Sequence, residues 1–327
     1  MPHLSDLILV ISALLAAVPL ALCYGARWWL DRGTLEPPWA FPVLMLAGGA
    51  GGIFFSLYGY AELEAIFAQV QGAPVPAGSL LAQAVVVPAA EELGKAFILL
   101  PFALTPWFRG PVDGLLYGFA AGAGFACAES FMYFMVAWQQ GEQAWLWEVV
   151  TRTVPSTLIH GGATAAVGAF LGAGRFEGRP GVGLAAPVVG FVAAITVHGL
   201  WNWLIRAAAE TGDLRFHQAA ALGLPLLFMA LVVALRAALR VELVGIAPGL
   251  ALEVHAGVLR PQELHAALDR RYRRTRDWHP PDAQRVRLVG ALLGLGLALH
   301  RSRREGRGTA RVERLRAALV AARGARA

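Results

Sequence analysis

Seven long apolar runs, 7–26, 39–60, 80–104, 111–137, 149–171, 181–205 and 218–239, follow one another along the chain with short polar connections between them. Each reaches the roughly 20 residues needed to cross a hydrocarbon core of about 30 Å, and none alternates as a barrel strand must. Backbone groups in lipid have to be satisfied within their own segment, so the runs predict transmembrane α-helices. Pro88, Pro155, Pro187 and Pro225 fall inside four of them and predict kinks that free backbone carbonyls. From Val241 onward short apolar stretches alternate with charge, and 288–299 spans only about a dozen residues, too few to cross a bilayer. That piece is expected to pack on protein or lie at the interface. The predicted fold class is all-α: a polytopic membrane helix bundle over 1–240 and a small basic helical tail over 241–327.

Composition agrees with the pattern, since 57% of residues are hydrophobic and only 15% are charged. The run 7–26 lacks a basic segment before it and is long enough to span, so it reads as a first transmembrane helix rather than a secretory signal. Cys23 and Cys127 both fall within predicted spans and suggest neither a disulfide framework nor a thiolate metal cluster. Charge is unevenly placed: from Arg260 to the end there are 17 Arg against 6 Asp plus Glu, a local balance of +11 against +6 for the whole chain. Arg27, Arg32, Arg109, Arg175 and Arg179 lie in one set of connections, while the amino terminus, 61–79 and 139–148 carry no Arg or Lys. Arg206 and Arg215 run against this bias. The positive-inside rule then predicts an inner cell membrane protein with its amino terminus outside and its tail cytoplasmic. Such a tail can touch anionic lipid headgroups. It has no helix-turn-helix, zinc-finger or aromatic-basic signature, so nucleic acid is not the expected partner. The loop "GAGRFEGRPGVG" lacks the Lys and Ser/Thr of a phosphate-binding loop.

Against this apolar background the ionisable residues within the spans stand out. The third run carries Glu91, Glu92 and Lys95, the only lysine in the chain; the fourth carries Glu129, the fifth His160, and the sixth His198 with Asn202. Measured from the ends expected outside, Glu91 and His160 lie 11 residues deep, Glu129 8 and His198 7. At 1.5 Å per residue that spread is only about 6 Å, so four helices can present their groups on one level. Lys95 is four residues from Glu91 and three from Glu92, within reach of either carboxylate along one face. His198 and Asn202, four apart, place an imidazole above an amide. Any one such group could be a satisfied helix contact. Three carboxylates, two imidazoles and a lysine are costly to bury separately, so a shared polar cavity is expected. A proton or ion pathway, as in a transporter, and a noncatalytic scaffold are the readings that compete with hydrolysis. Gly118, Gly122 and Ala126 at four-residue spacing, and Gly161, Gly162 and Gly168 after His160, predict close helix contacts.

Glu91-Glu92-Leu93-Gly94-Lys95, Phe125 through Glu129, His160, and His198 through Asn202, in this order on successive hydrophobic segments, resemble the motifs of the PrsW-type intramembrane proteases. That family is related in architecture to the CAAX-processing and bacteriocin-processing membrane proteases. The resemblance implies an endopeptidase that cuts another membrane protein within or near the bilayer, with a divalent metal, zinc favoured, or a glutamate-activated water. It also brings in a membrane-bound anti-sigma factor as a substrate type. Carried onto this chain, it makes Glu91 or Glu92 the base that takes a proton from the attacking water. Glu129, His160 and His198 become metal or water ligands, Asn202 the oxyanion donor, and Lys95 the group that keeps a glutamate ionised. The compact His-Glu-x-x-His zinc signature is missing, and neither a nucleophile elbow nor a cysteine motif offers a serine or cysteine mechanism. The tail from 241 matches none of these motifs.

Overall fold

Every regular element among the described residues is helical, as lipid requires of a spanning chain. The computed structural model describes residues 4–30, 37–76, 78–178, 180–269, 271–274, 282–306 and 309–324. Arg32 and Arg179, two of the charges that orient the bundle, lie outside the described residues. The α-helices are α1 (Leu4–Leu30), α2 (Ala40–Gln71), α3 (Val87–Ala103), α4 (Pro111–Gln140), α5 (Glu142–Arg152), α6 (Pro155–Glu177), α7 (Pro180–Thr211), α8 (Leu214–His255), α9 (Pro261–Leu268), α10 (Asp282–Glu305) and α11 (Thr309–Gly324). A π-helical turn, Ala82–Val86, leads directly into α3. The protein is a multi-pass membrane helix bundle.

Among the described residues six helical segments are long and apolar enough to cross a membrane: Ser5–Gly25, Ala40–Gln71, Pro111–Gln140, Glu142–Glu177, Gly181–Thr211 and Leu214–His255. The expected seventh, 80–104, is helical, but the π turn leaves α3 only 17 residues, and three ionisable side chains lower its apolar content. The fifth run is divided, because Pro155 opens α6 instead of kinking a longer helix. Pro is readily accepted there, since the first turn of a helix has no intrahelical partner for its N–H.

The chain forms two compact units, Met1–Ala26 with Pro37–Leu235, and Arg27–Glu36 with Arg236–Ala327. In the first, α4 is the central helix and small residues set its spacing. A methyl group at Gly114, Gly118 or Gly122 would stand 1.9, 2.3 or 2.2 Å from the carbonyl oxygens of Gly168, Thr164 and His160, so α4 and α6 run antiparallel with their backbones in contact. Gly48 and Gly124 do the same between α2 and α4, where added methyls would meet Ala121 and Met45 carbonyls at 2.1 and 1.8 Å. Such close approach lets dispersion forces hold helices that gain no hydrophobic drive in lipid. The expected faces at Gly118, Gly122 and Gly168 are among these contacts. Phe41, Leu44, Leu99, Phe108 and Tyr117 complete the core. The indole of Trp145 on α5 donates to Ser12 on α1 at 2.9 Å.

In the second unit α9, α10 and α11 enclose Ile246 and Leu250 of α8, with Leu288, Leu292 and Leu295 buried among them. The stretch 288–299 therefore packs inside protein. Gln284 donates to the last carbonyls of α11, Ala322 and Arg323, both at 3.0 Å. Glu253 receives Arg316 at 2.8 Å, and Glu263 receives Arg323 at 2.7 Å while accepting the Arg260 N–H.

Candidate active site

The turn of α3 that carries Glu91, Glu92 and Lys95 is brought against α2 by Gly94, where a methyl would lie 2.6 Å from Ser56 Oγ. With that face closed, Glu92 and Lys95 are both fully buried. A buried ion pair persists only if its remaining hydrogen-bonding capacity is met. Here it is. Lys95 Nζ donates to Glu92 Oε1 at 2.6 Å and lies 2.8 Å from His160 Nδ1, with the Phe125 ring centroid 4.1 Å away. The opposite oxygen, Glu92 Oε2, accepts from Thr164 Oγ1 at 2.9 Å, one turn beyond His160 on α6. His198 Nδ1 lies 3.0 Å from Glu92 Oε1. Glu92 therefore accepts from three side chains on three helices.

These partners fix the histidine tautomers. An ammonium only donates, so His160 Nδ1 is an acceptor and the ring proton sits on Nε2, 2.9 Å from Glu129 Oε2. A carboxylate only accepts, so His198 Nδ1 carries its proton toward Glu92, which in the neutral ring leaves the lone pair on Nε2. The imidazoles meet edge to face with centroids 4.5 Å apart. Glu129 Oε2 is also 2.6 Å from an Arg152 terminal nitrogen, and the Arg152 guanidinium stacks 3.7 Å over Tyr133.

Glu91 differs from its neighbour. Its Oε2 is buried yet accepts no hydrogen bond, and it stands 3.6 Å from His198 Nε2, 3.7 Å from His160 Nδ1 and 3.8 Å from Lys95 Nζ. A buried carboxylate oxygen without a donor has a desolvation cost that something else must offset. Glu91, His160 and His198 each offer one ligand atom within 4.8 Å of the others, and the second nitrogen of His198 rests on a carboxylate as metal-binding histidines require. The residues fit a divalent cation, with one condition: Lys95 shares the His160 Nδ1 lone pair and would have to yield it.

All six ionisable residues expected in the cavity, Glu91, Glu92, Lys95, Glu129, His160 and His198, come together. Their arrangement differs from the expected ligand set, because Glu91 rather than Glu129 joins the two histidines, while Glu129 lies on the far nitrogen of His160. Asn202 Nδ2 donates to the Gln83 carbonyl at 3.2 Å, within the π turn. Gly199 makes that contact possible, since a methyl there would stand 2.1 Å from the Ala84 carbonyl oxygen. Two participants carry weaker signals in the sequence. Arg152 is a charge within the apolar run 149–171, and Thr164 follows His160 at the four-residue spacing of a shared face.

No curated protein and no solved structure shows detectable similarity to the chain. The family comparison covers the whole cluster: residues 36–235 match the PrsW family intramembrane metalloprotease model, which takes in α2 through α7 and every residue of the site. With more than half of its length matched, the chain belongs to the PrsW family of intramembrane metalloproteases.

Proposed function

We propose that the chain is a zinc-dependent endopeptidase that hydrolyses peptide bonds of membrane-protein substrates within or near the bilayer, and that Glu91 rather than Glu92 meets the reacting water. The observation that carries this reading is the buried Glu91 Oε2, which accepts no hydrogen bond and stands 3.6 Å from His198 Nε2. Glu91, His160 and His198 would hold the ion, which when bound supplies Lewis-acid polarisation and a more acidic water. Glu92 is fully buried and already receives Lys95, Thr164 and His198, so it is placed to orient His198 rather than to meet the water. Lys95 neutralises Glu92 and keeps the paired carboxylates from repelling one another. Asn202 has a second amide proton beyond the one given to Gln83 and supplies the oxyanion donor.

A second reading rests on the 2.8 Å contact between Lys95 Nζ and His160 Nδ1, which occupies the lone pair an ion would use. In that form Glu91 Oε2 takes a proton from water directly as the water attacks the scissile carbonyl, and the proton passes to the leaving amine. The family resemblance favours a membrane-bound anti-sigma factor as substrate. The charge bias favours a cytoplasmic tail in the inner cell membrane, its arginines against anionic lipid.

The test is cleavage of a panel of single-span membrane proteins by purified protein in detergent, beside monodisperse Glu91→Gln, His198→Ala and Asn202→Ala variants. Cleavage lost with a chelator, restored by zinc and absent in the first two variants supports the metal reading; Asn202→Ala should lose about 10²–10³-fold. Chelator-resistant cleavage that still needs Glu91 supports the glutamate-water reading. Full activity of Glu91→Gln overturns both.

A further inference from the structure

We propose that Glu148, Arg152, Ser156 and Glu129 line a water-entry path that follows the break between α5 and α6 and ends at Glu91. The inference rests on the hydrolytic reading and deepens it, since each peptide bond cut consumes one water and the site lies among apolar helices.

In the membrane unit, four buried side-chain polar atoms of the described residues make no hydrogen bond: Glu91 Oε2, Glu129 Oε2, Arg152 Nε and Ser156 Oγ. They belong to one neighbourhood. A terminal nitrogen of Arg152 stands 2.6 Å from Glu129, Glu129 stands 2.9 Å from His160 Nε2, and the other nitrogen of that ring is 3.7 Å from Glu91. Ser156 lies one turn before His160 on α6, and so on the same face. Glu148 precedes Arg152 by one turn of α5, about 6 Å closer to the turn that joins α4 to α5.

The mixture of donors and acceptors selects the ligand. Arg152 Nε only donates, the carboxylate oxygens only accept, and a serine hydroxyl does both. A cation would suit the carboxylates and oppose the guanidinium, while an anion or a peptide carbonyl would do the reverse. Water donates and accepts, so it serves all four atoms and finds here the two to four polar partners that a buried water needs. Accessibility falls along the same line, from 20% for the Arg152 side chain to 13% for Glu129 and 5% for Ser156. Charged surface turned to hydrocarbon is costly, so the accessible parts of Arg152 and Glu129 face an aqueous space. The break adds backbone to it: α5 ends at Arg152, α6 begins at Pro155 without a side-chain cap, and the first N–H groups of an uncapped helix are water ligands.

The experiment reads water without any substrate, so its failure is separate from failure of the protease reading. The chain has 2 cysteines, and replacing both by alanine leaves the S–H band of the infrared spectrum to one introduced thiol. Full-length protein carrying Ser156→Cys, a change of one atom, is reconstituted in lipid vesicles and transferred to D2O. Leu200→Cys is the comparison. Gly190 of α7 packs on Ala166 and Val167 of α6, and Gly174 on Gly183, so the two helices run antiparallel and Leu200, 54% exposed, stands level with Ser156 on the outer surface of the bundle. The S–H band at position 156 should be lost to S–D while the band at position 200 persists. Adding Glu148→Trp, which fills the entrance, should slow the exchange at 156. With each protein monodisperse, exchange at 156 no faster than at 200 overturns the proposal, and so does exchange at 156 that Glu148→Trp leaves unchanged.

Discussion

The two units of the molecule bury carboxylates in opposite ways. In the second unit Glu253 and Glu263 each meet an arginine partner, Arg316 and Arg323, and Glu263 also accepts a backbone N–H. Each pair locks one helix to another, and a carboxylate with its valences filled by fixed donors does nothing more. In the membrane unit three carboxylates share Lys95, Arg152 and two imidazoles, and the sharing is unequal: both Glu92 oxygens accept hydrogen bonds, while Glu91 Oε2 accepts none and stands 3.6 Å or more from its cationic and imidazole neighbours. The difference separates ion pairs that build a fold from a cluster that builds a fold and leaves a buried carboxylate oxygen without a donor.

Glu92→Gln should have the largest effect, because it leaves Lys95 buried without its partner. The expected cost is about 3–5 kcal/mol of stability, read by thermal unfolding in detergent, together with loss of cleavage. Glu91→Gln, by contrast, should leave unfolding near wild type while cleavage falls, so equal destabilisation by the two would erase the distinction between neighbours. Thr164→Val comes next. It removes one of three donors to Glu92 without changing shape, and a loss of about 1.5 kcal/mol in unfolding with roughly tenfold slower cleavage is expected. Smallest is Glu253→Gln. Arg316 is one-third exposed there, so water screens the pair, and about 1 kcal/mol should be lost from the second unit with cleavage unchanged. Cleavage impaired as strongly by Glu253→Gln as by Thr164→Val would break the contrast between the two units.

The helical membrane body is legible in the sequence because lipid leaves the backbone few solutions, and runs such as 39–60 and 111–137 have the length that solution needs. The site is legible to the extent that its members violate their surroundings. Lys95, Glu129 and His160 are conspicuous in apolar runs, and all three are in the cluster. Thr164 is not conspicuous, since threonine is common in membrane helices and only the approach of Glu92 gives it a task. Arg152 sits near the end of a run, where charge is ordinary, and its contact with Glu129 of α4 is seen only in the fold. The division of labour between Glu91 and Glu92 has no signature in the sequence, because it depends on which oxygens Lys95 and the side chains of two other helices happen to reach. The count of spans went the same way: composition alone treats 80–104 as another apolar run, and its backbone shows where it departs from one.

That departure alters how the neighbouring helix has to be drawn. A π turn is an α turn holding one extra residue, and one residue corresponds to about 100° around a helix. A helical wheel drawn straight through from Leu80 would rotate everything beyond Val86 by that angle, the same angle that separates Glu91 from Glu92. On such a wheel one of the two consecutive glutamates takes the angle of the other, which moves a further 100° round. The turn Ala82–Val86 therefore works as a phase shift within α3's approach, setting which member of the glutamate pair is turned to the imidazoles and which is tied to the lysine.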